Sequence, residues 1–513
     1  MKPSRVAAID VGSNAIRYVV TEVPASGAHT EIESQRMAVR LGTDVFTRSR
    51  TFRPETMEAA VAALLRIRRR LDDLGISHYR AVATSAVREA RNGGELVDRI
   101  RRESGIHLET ISGSEEARLV WIAVTNRVDF GDDRWLMMDL GGGSLEISVA
   151  DKSGILWSES HTLGSVRLLQ AFQEEGRSPS GAAYQELLER YTHVLKVPRA
   201  MSDWEPTGTI ATGGNIEALA DLAGASKDER GVSRLPREAL HGLISELGAL
   251  TTEERISELG LREDRADVIL PASVVYERVA ELAGAEEIVV PRIGVKEGLV
   301  LDLVDELTNE AAHSGRREHV IRSAAITLGR RTQFDEAHGE QVARLALDLF
   351  DQLRELHGLG SRERNVLMAS ALLHDIGQFV SYRRHHKHSM YLISNADLPG
   401  ISPEDVQLVA VLARYHRRSP PKTGHAEFRA LGTKDRDAIR KLAALLRVAD
   451  ALDREHVNRV ASLTSRLEDD ALVLELETRG SLTLEEWALR SKGELFASVF
   501  GRAVTVQAQL VPA

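Results

Sequence analysis

Two segments of the chain repeat one pattern. Ala7-Ala8-Ile9-Asp10-Val11-Gly12-Ser13 and Met137-Met138-Asp139-Leu140-Gly141-Gly142-Gly143-Ser144 each carry an apolar strand into an Asp, a Gly turn and a Ser. A second strand follows each, Ile16 to Val20 in one copy and Glu146 to Val149 in the other. A third Gly turn, Thr212-Gly213-Gly214-Asn215, follows the short run Thr209-Ile210-Ala211. Two similar lobes, each presenting a Gly hairpin to a shared cleft, account for such a duplication. Glycine has no Cβ, so these turns can adopt φ > 0 and bring backbone N–H groups close to an oxyanion. Ser13 and Ser144 add hydroxyl donors. An Asp at the end of a buried strand is costly unless compensated, so Asp10 and Asp139 point to a bound cation or a positioned water.

At 513 residues the chain exceeds one hydrophobic core. Strand-like and helix-like runs alternate over the first ~310 residues, as in an α/β protein. The polar stretch Thr308 to Arg317 reads as the main linker. Beyond it the sequence turns helical to about Val460, and ten of the 17 histidines fall between His313 and His425. Alternating segments such as Leu472 to Leu476 and Val504 to Ala508 then read as strands. The expected division is 1–125 and 126–306 for the two lobes, 320–460 for the helical part and 461–513 for a small α/β terminal unit.

A net charge of -10 argues against a nucleic-acid-coating protein, though local potential can still favour a polyanion. Two basic stretches could supply it: Arg383-Arg384-His385-His386-Lys387-His388, and Arg414 to Lys422 with Arg417 and Arg418. Met1-Lys2-Pro3 runs straight into a strand-like segment, with no apolar leader or membrane-length apolar run. The absence of cysteine leaves metal binding to His, Asp and Glu. A soluble cytoplasmic protein without membrane or nucleic-acid partners is the expectation.

The repeat resembles the actin-like (ribonuclease H-like) superfamily of kinases and phosphatases. Asp10 to Arg17, Ala83 to Asn92 and Ile111 to Leu119 narrow the resemblance to the exopolyphosphatase and guanosine pentaphosphate phosphohydrolase family. The resemblance implies hydrolysis of terminal phosphates, of inorganic polyphosphate or alternatively of guanosine pentaphosphate, with a glutamate of Ser112-Gly113-Ser114-Glu115-Glu116 activating water. Ser112 and Glu115 have capping-box spacing, which gives Glu115 a structural task and leaves Glu116 as the expected base. The resemblance further implies Mg²⁺ or a similar divalent ion on Asp139 and Glu146, with Asp10 nearby. Gly12, Ser13, Asn14, Arg17, Thr84, Ser85, Arg88, Gly141, Gly142, Gly143, Ser144, Gly213 and Gly214 would then grip the phosphates. Two positions depart from the family pattern: Lys296 in Gly294-Val295-Lys296-Glu297-Gly298 replaces the usual Arg, and Asn215 the usual Thr. Relatives suggest a homodimer.

In the helical part, His338, His374, Asp375 and Asp450 resemble the metal ligands of the HD phosphohydrolase superfamily, which makes this an HD-like domain that could hold a second metal. His388 and His416 are candidates for a further ion. In the resembled family this part extends the substrate channel, and Arg383, Arg384, Lys387, Arg414, Arg417 and Arg418 would line a basic groove. A kinase of the same superfamily, a polyphosphate sensor and catalysis within the HD-like domain are the competing readings.

Overall fold

The computed structural model describes residues 4–24, 29–173, 181–195, 206–308 and 310–511. It divides into a unit of residues 1–316 and a unit of residues 317–513.

The first unit is built on two sheets. One has the order β3-β2-β1-β4-β5, with β1 Ser4–Val11, β2 Ile16–Val23, β3 Thr30–Met37, β4 His78–Ala83 and β5 Leu108–Thr110. Val6, Ala7, Ala8 and Ile9 are fully buried, as suits a central strand covered on both faces. The edge strand β3 reads Thr-Glu-Ile-Glu-Ser-Gln-Arg-Met and is largely exposed; its charges discourage pairing with a further strand. The other sheet has the order β10-β11-β9-β6-β7-β8. Its strands are β6 Trp135–Leu140, β7 Leu145–Ala150, β8 Ile155–His161, β9 Gly208–Thr212, β10 Ser233–Pro236 and β11 Glu287–Val290.

The repeat therefore extends beyond the two hairpins. The run β8-β7-β6-β9-β11 matches β3-β2-β1-β4-β5 in order, and each central strand has an antiparallel hairpin partner on one side and a parallel strand on the other. This is the doubled actin-like architecture expected from sequence.

Helices Gly113–Arg127 and Val295–Thr308 lie where the sheets meet. Leu119, Val120, Leu299 and Val300 share one apolar core with Ala8 and Val82 of the first sheet and Met137, Ile210 and Val289 of the second. The helices touch through their backbones at Gly298, where a Cβ would stand 2.0 Å from the Leu119 carbonyl oxygen. Arg118 ties them together electrostatically, bonding Glu115 at 2.7 Å and Asp302 at 2.9 Å, while Arg80 reaches Asp302 at 2.9 Å.

The second unit is helix-rich. Helices Glu336–Gln352, Ser361–Leu373, His385–Ser394, Pro403–Arg414 and Thr433–Ala451 surround one core. Residues 461–513, expected as a unit of their own, contribute to that same core. The sheet β12 Val460–Leu467, β13 Ala471–Thr478 and β14 Ala503–Leu510 buries Leu463, Leu472, Leu474 and Leu476 against the helices. Gln341 and Arg344 each donate to the Val460 carbonyl at 2.7 Å. The stretch read as linker contains the division at 316/317, and from Glu310 on its residues belong to the helix Glu310–Arg331. Among the described residues no helix is long and apolar enough to cross a membrane.

Candidate active site

The two Gly hairpins close in the same way. Gly12 N donates to Ala15 O at 3.1 Å and Gly141 N to Ser144 O at 3.0 Å. In strand register Asp10 faces Arg17 and Asp139 faces Glu146. The equivalent places of the two hairpins thus hold Asp with Arg in one lobe and Asp with Glu in the other. Arg17 bonds Asp10 at 3.2 Å. Asp139 accepts from Thr212 at 2.6 Å, and Glu146 accepts from Ser160 at 2.9 Å.

Between the hairpins lies a cavity of about 410 Å³. Asp10, Gly12, Ser13, Asn14, Arg17, Thr84, Ser85, Glu116, Asp139, Gly141, Gly142, Gly213 and Gly214 line it. Four expected residues sit behind that lining. Gly143 packs on Phe46 and Ser85, and Ser144 bonds the Glu146 carboxylate. Glu146 itself is 1% exposed. Arg88 donates to Ile111 O at 2.6 Å and comes within 3.9 Å of Glu116.

Glu115 and Glu116 part as their helix begins. Ser112 caps the helix by accepting from Glu115 N at 3.1 Å. The Glu115 carboxylate is held by Arg118 and Arg80, which keep it ionised below the usual range despite burial. Its structural role therefore runs through arginines. Glu116, one residue on, points at Asp139 and Glu146: one carboxylate oxygen from each of the three lies within 4.8 Å of the others.

Burial together with the charge of its neighbours pushes Glu116 well above the ordinary carboxylate range. Burial and then Asp139 push Glu146 up to about 7. Asp139 and Asp10 are also raised, chiefly by burial. One buried oxygen of Glu116 and one of Glu146 lack a hydrogen-bond partner. Packed carboxylates with unsatisfied oxygens fit a hard divalent cation bound through oxygen.

Sequence reasoning missed most of the cavity's cations. Arg36, Arg262, Arg265 and Arg292 all line it, beside Lys296, which sequence had noted. Arg265 donates to Asn215 at 2.8 Å, and Asn215 donates to Ser165 at 3.2 Å, so the unusual Asn holds a guanidinium in place. Burial lowers Arg265 to about 10, and it stays charged at neutral pH. The third Gly turn leads into helix Gly214–Leu222, with Gly213 at φ +104 and no room for a Cβ, which would meet Leu140 O at 2.7 Å. Arg36 and Arg40 of the first lobe pair with Asp264 and Asp267 of the second, the latter at 2.7 Å.

In the helix-rich unit, His338, His374 and Asp450 come together, with one ligand atom of each within 4.8 Å of the others. Asp375 joins a second group with His416 and with His385, which sequence reasoning did not single out. His388 is in neither group. His456, also unforeseen, stacks on His338 with ring centroids 3.6 Å apart. Of the basic residues expected in a groove, Arg383, Arg384, Lys387 and Arg418 are exposed, whereas Arg414 is largely buried against Glu427.

The Ppx/GppA phosphatase family matches residues 19–307, and its domain III matches residues 321–492. A guanosine-5'-triphosphate,3'-diphosphate pyrophosphatase of Aeromonas hydrophila is 28% identical over 475 residues, covering 92% of each chain. The protein of the same name from Aeromonas salmonicida is 27% identical with the same coverage. The crystal structure of an exopolyphosphatase from Cytophaga hutchinsonii superposes with a TM-score of 0.55 at 30% identity, covering 59% of this chain and 98% of that one. With its paired Gly hairpins, its carboxylate-lined cleft and a family match over more than half its length, this chain belongs to the Ppx/GppA phosphatase family of hydrolases.

Proposed function

We propose that the chain is an exopolyphosphatase, releasing the terminal phosphate of inorganic polyphosphate in the cleft of its first unit. The observation that carries this reading is the cavity lining. A cluster of buried carboxylates stands beside Arg17, Arg36, Arg262, Arg265, Arg292 and Lys296, and the described lining includes no aromatic ring on which a base could stack. Spaced cations suit a linear polyanion, which is recognised by charge alone.

In this mechanism the terminal phosphoryl group rests on the Gly turns and Ser13, with the N-terminus of helix Gly214–Leu222 adding backbone donors. Glu116 orients a water in line with the terminal P–O–P bond and accepts its proton as the oxygen attacks phosphorus. The bridging oxygen leaves with the shortened chain, its charge met by the guanidinium groups. Asp139 and Glu146, with Asp10 nearby, would hold a divalent cation, which when bound neutralises phosphate oxygens. Burial, and after it the charge of Glu146, raise Glu116 well above an ordinary carboxylate, which makes it a stronger base toward that water.

A second reading is hydrolysis of guanosine pentaphosphate, favoured by relatives of that specificity that match 92% of the chain. The test is phosphate release with Mg²⁺ from long-chain polyphosphate and from guanosine pentaphosphate, for wild type and Glu116→Gln. The proposal expects faster release from polyphosphate and a variant at least ~100-fold slower. Faster release from the nucleotide would transfer the assignment to the second reading. No release from either would overturn both.

A further inference from the structure

We infer that Arg167 is a positioning residue of the cleft: it sets the direction of the Gly141–Gly143 turn and ties that direction to the first lobe. All three carbonyl oxygens of the turn face the start of helix Ser165–Gln173. Ser165 N donates to Gly141 O at 3.1 Å, and Val166 N and Arg167 N donate to Gly142 O at 2.9 and 3.0 Å. Gly143 O has no backbone donor of this kind and accepts instead from the Arg167 side chain, Nε, at 2.7 Å. Gly164, just before the helix, lies so close that a Cβ there would stand 2.3 Å from Gly143 N.

In a trans peptide the C=O and the following N–H point in opposite directions. Carbonyls drawn to the helix therefore turn the amides of Gly142 and Gly143 away from it. Neither amide has a hydrogen-bond partner among the described residues, and Gly142 lines the cavity. Free backbone donors aimed into an anion site are what a phosphoryl oxygen rests on.

The helix that holds the turn belongs to both lobes. Val166 and Leu169 are buried in the core of the first sheet with Ile9 and Val11, whereas Leu168 and Phe172 are buried in the core of the second with Leu140 and Leu145. Spacings of three and four residues put each pair on its own face of the helix. Arg167 makes the same connection through one side chain. Its Nη2 donates to Glu89 Oε1 at 2.6 Å, and its guanidinium carbon stands 4.1 Å from the centre of the Phe46 ring. Glu89 ends helix Ser85–Glu89, in which Ser85 lines the cavity and Arg88 comes within 3.9 Å of Glu116. Phe46 packs on the turn itself, since a Cβ on Gly143 would stand 2.1 Å from its ring.

One planar fork thus holds the second Gly turn and the helix behind the expected base in a single register. The side chains of Arg167 and Glu89 are only 19% and 20% exposed, and Arg50, the other cation near Glu89, is 3.8 Å away. A lysine ammonium is a point charge and does not span both acceptors. Glycines 141–143 have no Cβ to resist tilting once the Gly143 carbonyl is released. The tilt misplaces donors where charge develops in the reaction, while the cavity arginines go on holding the rest of the substrate. The loss therefore falls on kcat more than on KM.

This role rests on the phosphate cleft proposed above and not on the choice between its two substrates. The test uses the full-length chain with Mg²⁺ and whichever of polyphosphate and guanosine pentaphosphate the wild type hydrolyses faster. Arg167→Ala should lower kcat at least ~10-fold while KM stays within about 3-fold. Arg167→Lys, which keeps charge and most of the bulk, should fall several-fold short of wild-type kcat. Glu89→Gln should lower kcat in the same sense and add little to Arg167→Ala, because the two act as one unit. A lysine variant as active as wild type, or a KM that rises as much as kcat falls, would overturn the inference. Hydrogen exchange read by mass spectrometry judges it without any activity: the segment Leu140–Ser144 should exchange faster in Arg167→Ala and Arg167→Lys than in wild type. Equal exchange there would overturn it. Should the wild type hydrolyse neither substrate, the proposed function falls and the exchange result alone decides the role of Arg167.

Discussion

Glu146→Gln should make the metal-free protein more stable at pH 8 while removing its activity. Folding raises Glu146 from the ordinary 4.5 to about 7, first by burial and then by Asp139. The native state therefore holds that proton more tightly than the unfolded chain. Below pH 4.5 both states are protonated and nothing is lost. Wild-type stability declines as pH rises through the window from 4.5 to 7, and above it the full cost remains. At about 1.36 kcal/mol for each pH unit this is on the order of 3 kcal/mol, and because Glu116 is coupled to the same site the proton belongs to the pair. The neutral amide removes that cost, and its NH₂ can donate toward Glu116 from the position of the unpartnered oxygen. Scanning calorimetry in EDTA should place the variant's Tm roughly 5 °C above wild type at pH 8, with the gap closing at pH 5. Adding Mg²⁺ should reverse the order, because binding stabilises the wild type selectively. A variant less stable than wild type at pH 8 in EDTA, or a gap that ignores pH, would refute the reasoning.

Other substitutions probe the surrounding frame. Gly213→Ala forces a side chain into φ +104 and against Leu140 O, so phosphate release should fall by more than about 10-fold as the turn shifts. Asp302→Ala leaves Arg118 and Arg80 partly unpaired in the interior and should cost roughly 3–5 kcal/mol, measured by urea unfolding. Arg265→Lys removes the planar fork held by Asn215, and the KM for polyphosphate should rise several-fold with a smaller change in kcat.

The hairpins and Glu116 were legible in sequence because short-range rules govern them. An Asp-Gly turn between apolar runs closes locally, and a Ser three residues before a Glu fixes where a helix starts, which sets Glu115 and Glu116 on different sides. The cavity arginines were not legible. Arg36 sits on a polar edge strand, Arg262 caps a four-residue helix and Arg265 lies within it; only the tertiary fold brings them together. His385 was hidden for a different reason. Among His385, His386 and His388 the helical period is plain but its phase is not, and the phase is set by Arg384 in the left-handed conformation at φ +63 just before the helix.

The strand registers of the two hairpins bear on direction. Duplication gave both lobes the same backbone and the same Asp, but opposite signs at the facing residue: Arg17 in one, Glu146 in the other. A polyphosphate chain reads alike from either end and carries no orientation of its own. On the reading proposed above, the protein must impose one, and a cleft with perfect twofold likeness could not. The inequivalence between Arg17 and Glu146 acts as an electrical arrow, with an anion-holding jaw facing a cation-holding jaw, so that a featureless substrate meets the cleft in one sense only.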